Sequence, residues 1–210
     1  MKKNFLWMLA AILLCGTMTT VFTACGDDDD DNGGGSSTAN TYEVTLSAVL
    51  PSCSAPYMYV ELKYTDADGK TQTVTVKEGD QSQTISDDAM TIYKNATSAY
   101  RGNPAYVAIL DDFTVRTFTM RVPAGKSFSY EGKIVKRDDY AAPEGSVTVV
   151  QPCVISTAKL VSGNSKDRSE LANNGSLSVV ASFGIDADHF AEIMSRWNGR
   201  DCGVGGVTMQ

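Results

Sequence analysis

The chain has 210 residues, 42% of them hydrophobic, and 18 Lys and Arg stand against 25 Asp and Glu for a formal charge of −7. That balance gives no sign of a nucleic-acid partner, and a single histidine, His189, is all that any Ser-His-Asp or Cys-His nucleophile could use. The apolar content is ordinary, so a real core is expected.

Lys2 and Lys3 precede an apolar stretch from Phe5 to Cys15, about half the ~20 residues that span a bilayer as a helix. Residues 1–24 are therefore expected to be a secretion signal. Cys15 follows Leu13-Leu14, whereas Cys25 follows Thr23-Ala24, the small residues accepted beside a signal-peptidase cut. After Cys25 come Gly26, the aspartates Asp27 to Asp31 and Asn32-Gly33-Gly34-Gly35-Ser36-Ser37, with nothing apolar to bury. Residues 25–40 read as a tether, averaging roughly 20 Å end to end and reaching about 50 Å when stretched.

The run Val21-Phe22-Thr23-Ala24-Cys25 resembles a bacterial lipobox, with Phe22 where Leu is usual. The resemblance implies that Cys25 becomes the lipid-modified first residue of the mature protein. Cys-Gly followed by acidic residues is similar to the export signal of Bacteroidetes-type surface lipoproteins, which implies the outer face of the outer membrane; a periplasm-facing lipoprotein is the alternative. Two or more acyl chains anchor stably, each buried CH₂ contributing roughly 0.8 kcal/mol, so no transmembrane helix is required.

From Thr41 onward, period-two patterns dominate. Tyr42, Val44, Leu46, Ala48 and Leu50 alternate with polar residues, and Tyr57 to Tyr64 places Met58, Val60, Leu62 and Tyr64 on one face. Asp66-Ala67-Asp68-Gly69-Lys70 predicts a hairpin turn into Thr71 to Lys77, because Asp-Gly tolerates positive φ. As a calcium loop it would put Thr75 where a Glu is required. Further strands are expected at Gln83 to Ser86, Met90 to Lys94, Ala105 to Leu110, Phe113 to Val122, Ser127 to Lys136, Ser146 to Ile155 and Leu177 to Ile185. Pro123-Ala124-Gly125-Lys126 reads as a hairpin turn pairing Val122 with Ser127, which would put Phe113, Val115, Phe128, Tyr130 and Ile134 on one core face. Phe190, Ile193, Met194 and Trp197 fall at helical spacing, with Asp186 or Asp188 to cap the start and Asn198-Gly199 to stop it. Gly203 to Val207 gives no pattern. The fold class that follows is all-β, mainly antiparallel, a sandwich or barrel-like domain over 41–210 with one short C-terminal helix packed on the sheet.

Chemistry is sparse. Asp186, Asp188 and Glu192 flank His189, but no second histidine completes a zinc site, so no metal or cofactor is expected. The pairs Asp87-Asp88, Asp111-Asp112 and Asp138-Asp139 could supply a glycosidase acid and base only if folding sets their separation. Export exposes Cys53, Cys153 and Cys202 to an oxidising compartment, where either a Cys53–Cys153 disulfide or three buried thiols would serve. Tyr57 and Tyr59 are candidate stacking residues for a glycan, and Arg116 and Lys133 lie in a locally basic segment that could meet an acidic ligand. The expected function is a non-enzymatic surface module for a glycan or a protein. One alternative is a structural subunit, the domain behind its lipobox being distantly similar to fimbrillin-type lipoproteins; another is a carboxylate-based glycoside hydrolase.

Overall fold

The computed structural model describes residues 39–163 and 177–209. Cys25, the signal segment and all but the end of the tether lie outside them. Residues from Ser37 on form a compact unit of their own.

The described strands are β1 (Thr41–Pro51), β2 (Met58–Thr65), β3 (Thr71–Val76), β4 (Phe113–Pro123), β5 (Ser127–Lys136), β6 (Val147–Val150), β7 (Cys153–Ser162), β8 (Ala181–Ile185) and β9 (Asp201–Thr208), with helices α1 (Asp87–Ala96), α2 (Pro104–Leu110) and α3 (Ala187–Trp197). They form antiparallel sheets ordered β4-β1-β7, β3-β2-β5-β9 and β6-β8. The first two stack as a sandwich, as the alternation predicts. Tyr42, Val44, Leu46, Ala48 and Leu50 of β1 share one core with Met58, Val60, Leu62 and Tyr64 of β2 and with Phe190, Met194 and Trp197 of α3. The other face of the three-stranded sheet buries Val49, Val115 and Ile155 against Ala89 and Tyr93 of α1 and Leu110 of α2. Strand β1 is thus buried on both faces over Leu46–Pro51, while Thr41, Glu43 and Thr45 leave the outer face of its first half partly exposed.

Two expected strands are helices. Met90 to Lys94 belongs to α1, started by Ser86, whose side chain accepts the Ala89 N–H at 3.3 Å, with Asp87 and Asp88 in the first turn and Lys94 in the last. Ala105 to Leu110 belongs to α2, where Asn103 accepts the Ala105 N–H at 3.0 Å and Pro104 opens the helix. Gln83 to Ser86 is not a strand: Gln83 lies along the free edge of β4, its N–H on Val115 O at 2.8 Å and its Oε1 accepting Thr117 N–H at 2.6 Å. Ser146 to Ile155 breaks at Gln151-Pro152 into β6 and β7, which join different sheets. Of Leu177 to Ile185 only Ala181–Ile185 is strand. The expected Val122–Ser127 hairpin is also absent. Its turn exists, with Gly125 at φ +79, but it carries the chain from one sheet to the other. Val115 accordingly faces the helices, while Phe128, Tyr130 and Ile134 face the sandwich core.

The Gly-rich C-terminal segment is β9, an edge strand. Gly203 and its cross-strand neighbour on β5, Gly132, have a packing cause, since a Cβ on Gly203 would lie 2.5 Å from Val154 O and one on Gly132 would lie 2.5 Å from Val154 Cγ2. Here β7 and β9 bring the two sheets together, and Val154 occupies the space that side chains would fill.

The sandwich has two distinct poles. Thr41 enters at one, beside the Pro123–Lys126 turn, which binds the first and last described segments: Ala124 N–H donates to Asn40 O, and Gly125 N–H to Met209 O, each at 2.8 Å. The other pole gathers the end of β1, the start of β2, the ends of β3 and β5, and the α3–β9 turn.

Candidate functional site

Alternation along β2 turns Met58 and Val60 into the core and leaves Tyr59 on the outer face of the four-stranded sheet, with Val135 of β5 as its cross-strand neighbour. Lys77 follows the last residue of β3. Arg137, Asp138 and Asp139 follow β5, and Asn198 ends α3. Four chain segments therefore meet at the pole remote from Thr41, forming an open cleft of about 490 Å³ lined by Tyr59, Lys77, Arg137, Asp138, Asp139 and Asn198 together with Val135 and Lys136.

Arg137 holds this cleft in shape. Its Nε and Nη2 donate to Asp139 at 3.0 Å each, its Nη1 donates to Glu78 at 2.7 Å, and its backbone N–H bonds Tyr57 O at 2.9 Å. The Nη1–Glu78 bond ties the loop after β5 to the loop after β3, while the bidentate pair with Asp139 braces the guanidinium within its own loop. Hydrogen bonding to Arg137 holds the Asp139 carboxyl below its ordinary range, and the same bonds push the guanidinium up. Asn198 Oδ1 accepts the Lys136 N–H at 2.9 Å and so ties the end of α3 to β5. The Tyr59 ring makes no aromatic contact and its hydroxyl no hydrogen bond among the described residues.

Tyr57 is placed differently. Its ring packs edge-on against Phe190, centroids 4.7 Å apart, and against Tyr140 at 6.1 Å, so it docks α3. Arg116 and Lys133 do not meet, because β4 and β5 belong to different sheets. Arg116 pairs with Asp80 at 4.0 Å, and Lys133 with Glu131 at 3.1 Å. Lys133 also stands beside Glu61 and Asp201 in the sheet register. The basic segment of the sequence is thus divided and compensated.

The remaining candidates have structural partners. Asp186 caps α3, accepting the His189 N–H at 3.0 Å and contacting the ring Nδ1 at 2.8 Å, which raises the histidine pKa. Among the described residues no group of three or more His, Cys, Asp and Glu converges as a metal site. Asp66 Oδ1 accepts the N–H groups of Asp68 and Lys70, at 3.1 and 2.9 Å, and closes the hairpin turn. Asp87 and Asp88 lie in the first turn of α1, Asp111 pairs with Arg101 at 2.7 Å, and Asp112 accepts the Ser52 hydroxyl at 2.9 Å. Cys53, Cys153 and Cys202 are free thiols, so the Cys53–Cys153 bridge is not formed. Cys53 instead lies 3.8 Å from the Ser54 hydroxyl, while Cys153 is buried under α1. Burial pushes the Cys53 and Cys153 thiols up, and that of Cys202 up to about 12, the reverse of what a nucleophilic thiolate needs.

A second hollow, of about 330 Å³, lies where β7 meets β9 and includes Gln151, whose buried Oε1 has no partner among the described residues. Much of its lining, including Tyr130, Val154 and Cys202, is core. Comparison with known proteins finds no matching family model, no matching curated protein and no matching solved structure. The Tyr59 cleft therefore rests on its own geometry. Sequence reasoning found Tyr59 but missed Lys77 and Asn198 as its neighbours; the common signal is that these residues stand at element ends that reach the same pole.

Proposed function

We propose that this protein is an outer-membrane lipoprotein, anchored through Cys25 and facing the cell exterior, whose sandwich binds a neutral glycan in the Tyr59 cleft without catalysing a reaction. The observation that carries the reading is a tyrosine ring with no internal partner on a rigid sheet, flanked by paired polar groups. An aromatic face offers apolar area to a sugar ring, and neighbouring carboxylates, amides and guanidinium groups suit its hydroxyls. The charges favour a neutral ligand. Lys77, Lys136 and Arg137 are matched by Asp138, Asp139 and the Glu78 carboxylate bonded to Arg137. Attachment through Cys25 would hold the Thr41 pole nearest the membrane, and the length of β1, about 33 Å at strand rise, would carry the cleft outward.

Binding of the unit beginning at Ser37 to a panel of neutral polysaccharides tests the ligand. Tyr59→Ala is expected to weaken binding about tenfold, ~1.4 kcal/mol, with an unchanged melting temperature, whereas Tyr57→Ala should lower the melting temperature. Retention of full affinity by Tyr59→Ala, or silence across the panel, would reject the glycan reading. For the anchor, Cys25→Ser should abolish incorporation of radiolabelled fatty acid and release the protein from the membrane fraction. Protease added to intact cells should remove the wild-type domain; protection until lysis would place it in the periplasm.

A further inference from the structure

The four-stranded sheet has its charges in an unusual place. Its edge strand β3 reads TQTVTV; its other edge strand, β9, begins with Asp201 and a register irregularity, but its residues 202–208 read CGVGGVT, so beyond that start neither edge carries a charged residue or a proline. Glu61 and Lys63 stand on β2, and Glu131 and Lys133 on β5, the two central strands. Sheets that avoid edge pairing do the reverse, guarding the outer strands with lysine, proline or a bulge. The three-stranded sheet follows that rule: β4 carries Arg116 and Arg121 and is partly covered by Ser82 and Gln83, while β7 carries Lys159.

Backbone register shows what these neutral edges present. Asp66 N–H donates to Lys70 O at 3.1 Å, so the bonded pairs between β2 and β3 are Tyr64 with Gln72, Leu62 with Val74 and Val60 with Val76. The N–H and C=O groups of Thr71, Thr73 and Thr75 then point away from the sheet. At the opposite edge Met209 N–H donates to Lys126 O at 2.9 Å. Bonded pairs there are Phe128 with Val207, Tyr130 with Gly205 and Gly132 with Gly203, leaving Val204, Gly206 and Thr208 pointing outward. No bond among the described residues reaches these backbone groups. On both edges the outward-pointing residues are those on the solvent face of the sheet, so joining the edges keeps core face with core face.

We propose that the β9 edge of one copy pairs antiparallel with the β3 edge of the next, extending the four-stranded sheet from molecule to molecule. Thr75 stands opposite Val204, Thr73 opposite Gly206 and Thr71 opposite Thr208, giving about six backbone hydrogen bonds. The contact covers Val204, which at 55% exposure is the most exposed large apolar residue described. Orientation selects this pairing over β3 with β3. Within a copy β3 runs away from the Thr41 pole and β9 runs toward it, so β9-to-β3 pairing leaves every Thr41 on the same side, whereas β3-to-β3 pairing turns one copy end for end. Only this last preference draws on the proposed membrane anchor, because copies held by one membrane share an orientation.

Sedimentation of the Ser37–Gln210 unit tests the proposal through two terminators, Thr73→Lys on β3 and Val204→Lys on β9, each checked by its thermal melt. Wild type should grow in mass with concentration, each variant alone should stay monomeric, and an equimolar mixture should give a species of two copies, since each variant retains the edge the other lacks. A wild type that stays monomeric at every concentration, or a mixture that stays monomeric, overturns the proposal. So does a Val204→Lys variant that dimerises alone, which would indicate β3-to-β3 pairing. Thr75→Lys and Thr208→Lys repeat the test if either first variant melts early. None of these residues lines the Tyr59 cleft, so loss of assembly and loss of glycan binding are separate results.

Discussion

Placing alanine at Gly203 is expected to destabilise the fold by about 3 kcal/mol, at the upper end for overpacking a core and a large share of a domain's total stability of ~5–15 kcal/mol. The new Cβ would sit 2.5 Å from the carbonyl oxygen of Val154 and 2.9 Å from its Cβ. A carbonyl oxygen moves only with its strand, and β7 is held to β1 by a ladder from Val49–Cys153 onward. Gly132→Ala meets the same valine through a different atom, Cγ2, again at 2.5 Å. Truncating Val154 should therefore separate the two cases. Val154→Ala should recover most of the loss in Gly132→Ala, because it deletes the colliding methyl, and little of the loss in Gly203→Ala, because the backbone oxygen remains. Urea denaturation midpoints of the three single and two double variants measure this. Equal rescue of both glycine variants would contradict the close approach of β7 to β9.

Removing the ring of Phe190 should cost about 3–5 kcal/mol, as for other buried phenylalanines. It is 1% exposed and is wedged between Tyr57 and Tyr140, with centroids at 4.7 and 5.8 Å. At roughly 2–4 °C per kcal/mol for a domain of this size, Phe190→Ala should lower the melting temperature by about 10 °C. The effect should reach the cleft, because α3 supplies Asn198 and its bond to the Lys136 N–H. Ile193, only half buried on the same helix, should cost clearly less on truncation. A Phe190→Ala protein that melted with the wild type would show that α3 is dispensable to the core.

Alternation in β1 and β2 is written directly in side chains, because each strand has one face on the sandwich core, and the i, i+3, i+4, i+7 stripe of α3 is equally plain. Helix α1 was hidden by coincidence: Met90, Ile92 and Lys94 mimic a strand, while the burial that matters is Ala89 and Tyr93, four apart. Capping by Ser86 and Asn103-Pro104 was the better signal for both misread helices. The β4–β5 turn reads like any hairpin, since a turn motif specifies a reversal and not which sheet receives the next strand. In β9 the missing pattern has a cause outside the strand, as Val154 fills the space at Gly203 and the Tyr130 ring that at Gly205. The cleft was legible at Tyr59 alone, because its other members converge only once registers and the end of α3 are fixed.

The path between the two poles has a mechanical meaning. A pull applied at Thr41 against a load at the Tyr59 end runs lengthwise along β1, which is bound on one side to β4 and on the other to β7. Tension in that direction shears both ladders, so their rungs resist together instead of opening one after another like a zip. A body gripped this way at opposite ends would keep its shape under drag that peels apart a sheet loaded crosswise.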